Sequence, residues 1–298
     1  MAHTRNKRLT MRRALRRDVP ATVGLLVDEQ DFAAMRRYRT FTFHDHPDYL
    51  HHVEGLLRTL SAQGGHTTVA LFDPEDFARF CTETGLDPDT STSRSRYTAE
   101  VAAAGATVAY TGQPIDHLVP LLINRSVRQA TWEYATSLLS DLGQCADCGE
   151  DVGRSAFHRA SQLLLSLLEA AGPGTHHLVC SIPAADEQLL AVLHVTCGGD
   201  AAPAALDSSE GAEFATVLAV GIALESAGGV VLRSSAPGTP DRLHGWRLHQ
   251  GRLMPLTEAE VFSAYCTDAD TGEPLSPEPH VEYRAGFELN DPGPAPHH

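Results

Sequence analysis

ATVGLLVD, residues 21–28, is an unbroken apolar run closed by an acid, and its reading decides the fold. A strand covered by helices on both faces of a parallel sheet reads this way, because neither face has to be polar. HTTVALFD (66–73) repeats the pattern, and ATVAYTG (106–112) supplies a third copy. Between the runs, Leu50, Val53, Leu57 and Leu60 recur at helical spacing and are followed by Gly64 and Gly65, where a helix end favours glycine. The alternation of threonine and phenylalanine in TFTF (40–43) predicts a further short strand. The polar DPDTSTSRSR (87–96) predicts a loop, and a helical pattern from Asp116 to Leu142 ends at Gly143. The expectation is an α/β fold whose N-terminal part is an open, mostly parallel, three-layer sheet of flavodoxin or Rossmann type.

The second half breaks the alternation. AFHRASQLLLSLLEAA is strongly helical and stops at Gly172-Pro173-Gly174. HHLVCSIP and EQLLAVLHVTC then read as an antiparallel hairpin, and GGDAAPAALDSSEGA (198–212) as a flexible connection. EFATVLAVGIALESA is apolar nearly all round and predicts a buried helix, followed by strands in GGVVLRSS and GWRLHQGRLMPLT. The expected organisation is a basic, disordered arm at 1–19, an α/β domain at 20–145, an α+β domain at 150–288 and a disordered tail at 289–298.

The composition sets limits on function. A chain of 298 residues that is 42% hydrophobic is long enough for two cores. It has no apolar run long enough to span a bilayer, and its N-terminus lacks the apolar stretch of a secretory signal. A soluble, cytoplasmic protein that does not enter membranes is expected. The net charge is −15, yet seven of the 23 basic residues fall within residues 1–17, which contain no acid. The body is expected to repel nucleic acid, leaving only the basic arm for phosphate contacts. Lys7 is the single lysine, so no lysine in the body can form a Schiff base or hold a nucleotide phosphate. Six cysteines spread from Cys81 to Cys266 are too sparse for a disulfide framework, and reduced thiols are expected.

TFTFHDHPDYLHH (40–52) carries the densest cluster of candidate ligands. His44 and His46 with Asp48 have the donor types that zinc or another divalent cation takes, and such a cation would activate water for hydrolysis. If the apolar runs share one sheet, their carboxyl ends also gather Asp28 and Asp73 as assisting carboxylates. The same residues equally spell an ordinary helix start, with Asp45 as cap, Pro47 in the first turn and Asp48 complementing the helix dipole.

TFTFHDHPDYLHHVEGLL resembles the first metal motif of metallo-β-lactamase-type hydrolases. The resemblance implies ligand roles for His44, His46 and Asp48. It departs from that motif at Tyr49, where the family carries another histidine. LLVDEQDFAAMRRY with TTVALFDPEDF resembles the start and central strand of response-regulator receiver domains. That resemblance implies magnesium at Asp28 and Glu29, phosphoryl transfer to Asp73 and sensing by Thr111, although the lysine of those domains has no counterpart here. CADCG (145–149) has the spacing of half a zinc knuckle at Cys145 and Cys148, for which His158 with Cys180 or Cys197 are the candidate completing ligands.

No complete catalytic constellation emerges. The expected function is ligand or protein binding at the acidic carboxyl edge of the first sheet, regulatory or as part of an assembly, with a protein partner or a second copy, or a small molecule, as partner. The alternative is a metal-dependent hydrolase of phosphates or esters built on the HDHPD segment.

Overall fold

The structure, a computed structural model, describes residues 21–64, 66–185, 187–198, 208–268 and 271–291. The expected arm at 1–19 lies outside these residues, as do 199–207 of the expected flexible connection. The chain divides into two compact units, Met1–Gln129 and Ala130–His298, both mixing helices and strands. The division falls inside one long helix rather than after it.

In the first unit, β1 (Ala21–Leu25) and β2 (Thr67–Leu71) form where the apolar runs predict them, and they pair in parallel. Four helices accompany them: α1 (Glu29–Met35), α2 (His46–Ala62), α3 (Pro74–Thr84) and α4 (Ser91–Ala104). Each begins at a side-chain cap, from Asp28, Asp45, Asp73 and Thr90 in turn. The third run departs from expectation. Only Thr107–Ala109 forms a strand, β3, and it lies antiparallel to β2. The sheet is therefore three-stranded and mixed, in the order β1-β2-β3, and the open parallel sheet of flavodoxin type is not what forms. The reason is chain length and direction. Helices α3 and α4 carry the chain back beside β2, so a short antiparallel strand suffices there and no further crossover follows.

Two other expectations for this unit change. TFTF is not a strand: Phe41 and Phe43 turn inward from a loop to join Phe32 and Tyr49, at centroid separations of 5.2–5.9 Å. DPDTSTSRSR is not all loop, because the Thr90 hydroxyl accepts the Ser93 N–H and starts α4.

Helix α5 (Ile115–Asp141) leads to the second unit, where α6 (Val152–Ala171), β4 (Gly174–Ala184) and β5 (Glu187–Cys197) match the predicted helix and hairpin. Then come α7 (Ser209–Ala223), β6 (Gly228–Ser235), β7 (Asp241–His249), β8 (Arg252–Pro255), α8 (Glu258–Tyr265) and β9 (Val281–Tyr283). The sheet order is β5-β4-β6-β7-β8, all antiparallel, with β9 added in parallel beside β7. Gln250 and Gly251, both at positive φ, make the two-residue turn between β7 and β8. The apolar faces of α6 and α7 fill the core with Leu163, Leu164, Leu167, Phe214 and Leu218. Gly221 lets α7 approach, since a Cβ there would stand 2.5 Å from Leu248 and 2.6 Å from Ile182.

The start of the expected tail is ordered. Leu289 packs against this core, and Arg159 on α6 grips Asp291 through two hydrogen bonds of 2.9 and 2.7 Å. A buried guanidinium needs such a partner, which holds the chain at this point. Residues 292–298 lie outside the described ones. Among the described residues no helix is long and apolar enough to cross a membrane.

Candidate functional site

Among the described residues β1 is an edge of its sheet, and its register fixes which backbone groups face away from β2. The N–H and C=O groups of Ala21, Val23 and Leu25 point to β2, so those of Thr22, Gly24 and Leu26 point outward. Helix α2 covers one end of this edge. The Tyr49 hydroxyl accepts the Leu26 N–H at 3.1 Å and donates to the Gly24 carbonyl at 3.4 Å, while His46 Nε2 donates to the Leu26 carbonyl at 3.0 Å. The N–H and C=O of Thr22 and the N–H of Gly24 have no partner among the described residues.

Beside that open edge runs a cleft of about 850 Å³, within the range of small-molecule sites. One wall is aromatic and aliphatic, formed by Phe41, Phe43, Tyr49, Val53 and Leu56. The opposite wall is α4, which contributes Arg94, Ser95, Thr98 and Ala102. The strands add Thr22, Gly24, Thr68 and Thr107, with the hydroxyls of Thr22 and Thr68 joined at 2.9 Å. Gly24 permits the close approach of α4, because a Cβ there would stand 2.9 Å from both Phe72 and the Thr98 hydroxyl. The lip is tied across: Asp89 accepts the Thr40 N–H at 2.8 Å and Arg94 donates to the Thr40 hydroxyl at 2.9 Å. The Thr40 N–H and hydroxyl and the Arg39 guanidinium hold the Asp89 carboxyl below its ordinary range.

The charge of the lining is distinctive. In a chain with 38 acids, no described aspartate or glutamate lines the cleft, while Arg94, His52 and His66 all face it. Burial pushes the Tyr49 phenol up to about 12, against the smaller lowering effect of the Leu26 N–H. Tyr49 is thus a neutral structural group at physiological pH, not an acid or base.

The residues predicted from sequence are placed elsewhere. Asp28 caps α1 by accepting the Asp31 N–H at 2.8 Å, and Asp73 caps α3 by accepting those of Glu75 and Asp76 at 2.7 and 3.0 Å. They do share the carboxyl edge of β1 and β2, as expected: burial, and then the charges of Asp28, Asp73 and Glu75, raise the Asp31 carboxyl. His44 is exposed, His46 is committed to the Leu26 carbonyl, and Asp48 sits in the first turn of α2 behind the Asp45 cap. Thr111 turns its hydroxyl to the Gln113 side-chain carbonyl at 2.9 Å. Among the described residues no group of three or more histidine, cysteine, aspartate or glutamate side chains converges to hold a metal. Cys180 and Cys197, the proposed completions for Cys145 and Cys148, are buried in the second unit's core.

The cleft itself was not foreseen. Phe41 and Phe43 carry the alternation of a strand, and Arg94 lies in a polar segment with the composition of a loop. The serine and threonine caps before the alanine-rich SRYTAEVAAA were the cue to a helix there.

A family profile described as "Domain of unknown function (DUF8829)" matches residues 10–113. Every residue lining the cleft falls within that span. No curated protein and no solved structure matches the chain.

Proposed function

We propose that the first unit is a ligand-binding module, acting in regulation, that takes a small amphipathic molecule carrying an anionic group into the cleft beside β1. The observation that carries this reading is the lining: an apolar and hydroxyl-rich cleft of about 850 Å³ whose described lining residues include no aspartate or glutamate in a strongly acidic chain, with Asp89 held at the lip by Thr40. Burying a carboxylate beside Asp or Glu would be costly, whereas Arg94 offers a charge-assisted hydrogen bond. One of its five N–H donors is taken by Thr40. The aromatic wall suits an apolar body, and the N–H groups of Gly24 and Thr22, without a partner among the described residues, supply fixed donors.

The test is thermal unfolding of the intact protein with a panel of alkyl and aryl carboxylates, each paired with its neutral amide. Saturating a site at 100 times its dissociation constant adds about 2.7 kcal/mol, a rise of several degrees in melting temperature. We expect such a rise for some carboxylates, a weaker one for the amides, and at least about a tenfold loss of affinity in Arg94→Gln. A panel without shifts, or shifts that Arg94→Gln leaves untouched, removes the reading. A hydrolase built on His44, His46 and Asp48 has no comparable convergence of side chains to support it.

A further inference from the structure

The turn between α5 and α6 is built around two sulfurs. Residues 141–151 read DLGQCADCGED. Gln144 and Asp151 form an antiparallel bridge at its neck, the Cys145 N–H donates to the Glu150 carbonyl at 2.8 Å, and the Gly149 N–H donates to the Cys145 carbonyl at 2.9 Å. Gly149 reaches this closure at a φ of 73°, which a side chain would oppose. Closed in this way, the turn aims three backbone N–H groups at sulfur. Those of Cys148 and Asp147 reach Cys145, that of Glu150 reaches Cys148, and the two thiols are in hydrogen-bonding contact with each other.

Backbone donors directed at a sulfur pair are the supporting shell that a metal-bound thiolate needs, because they share its negative charge without competing for the metal. The surroundings decide between a cation and thiol–disulfide chemistry. Asp141, Asp147, Glu150 and Asp151 flank the pair, and the stretch has no lysine or arginine. That field attracts a divalent cation and repels an anionic disulfide such as the glutathione class. The pair also precedes the Asp151 cap of α6, so it lies outside the first turn whose N–H groups activate redox cysteines. Of the six cysteines, Cys81, Cys180, Cys197 and Cys266 are buried, while Cys148 is exposed and Cys145 half-buried, which leaves this pair open to an ion from solution.

We propose that Cys145 and Cys148 form a two-thiolate site for a soft divalent cation of the zinc class, with water completing the tetrahedron. On binding, the cation replaces the two thiol protons, which pass to solvent, and the sulfurs become its ligands. Two protein ligands make the site exchangeable rather than a permanent structural centre. It is independent of the cleft and of the histidine segment.

The experiment uses full-length, tag-free, reduced protein in equilibrium dialysis against zinc, with bound metal measured by mass spectrometry. A parallel titration with cobalt follows the thiolate-to-metal charge-transfer absorbance. Expected are one equivalent per chain with that absorbance, binding weakened at least tenfold in both Cys145→Ser and Cys148→Ser, and no change in His44→Ala/His46→Ala. Circular dichroism and unfolding curves confirm that the variants fold. The proposal is overturned by reduced protein that binds no metal, by binding that survives both cysteine variants, or by half an equivalent appearing together with a dimer.

Discussion

Tyr49 stands where one of the resembled motifs has a histidine, and its environment explains what the hydroxyl does instead. Its ring packs with Phe43 and Phe41 while its oxygen takes the outward N–H of Leu26, a residue only 2% exposed. Removing that oxygen leaves a buried donor without a partner, a loss of about 1–3 kcal/mol. Tyr49→Phe is therefore expected to lower the free energy of unfolding by that amount in urea, with the ring packing preserved; an unchanged midpoint would show that water reaches Leu26. His46 makes the matching bond to the Leu26 carbonyl. One strand end is thus closed by two side chains from the first turn of α2, and the segment that sequence offers as a metal motif serves as a plug for a sheet edge.

The hairpin of β4 and β5 sets His177 against His194, with rings stacked 4.2 Å apart and 12° from parallel. Burial, then the neighbouring His194 and Arg233, lower the His177 imidazole below its usual value. A lowered value means that the unfolded chain takes up the proton first as pH falls. The associated stability is present above the unfolded value of 6.5 and is lost as pH drops through the lower folded value. His177→Gln is expected to flatten the decline of melting temperature between about pH 7 and 5, and an equal decline in the variant would assign the effect elsewhere. This hairpin, both parallel strands and the start of α2 were legible in the sequence because period, caps and turn residues are local signals. The direction of β3 was not, since a three-residue strand carries no mark of its partner's orientation. Nor was the cleft. Thr22, Phe43, Leu56, Arg94 and Thr107 come from separate segments, and only the fold gives them a common surface. Asp28 and Asp73 were visible as acids at strand ends, and their capping bonds now show why acids stand there.

Across the whole molecule, charge and topology divide unevenly. Among the described residues, the acidic surplus of the chain is absent from the cleft lining, where Arg94 is the one arginine; in the reading proposed above, selection for an anion comes from the exclusion of acids as much as from that arginine. The two sheets differ in how far apart in sequence their strands lie. In the second unit, β4 meets β5 and β7 meets β8 across tight turns, with one more close pairing between β6 and β7. In the first, β1 meets β2 only after residues 26–66 have been gathered between them. Closing a long segment costs entropy before any strand contact rewards it, while hairpins form in microseconds. Refolding should therefore be staged, with amides of β4 to β8 protected from pulsed hydrogen exchange before those of β1 and β2; the reverse order would refute this. Trp132 and Trp246 are the only tryptophans, and both belong to the unit that is expected to form first. A refolding trace followed by tryptophan emission would then reach its plateau while the cleft beside β1 is still unmade, and recovery of the binding proposed for that cleft would lag behind recovery of fluorescence.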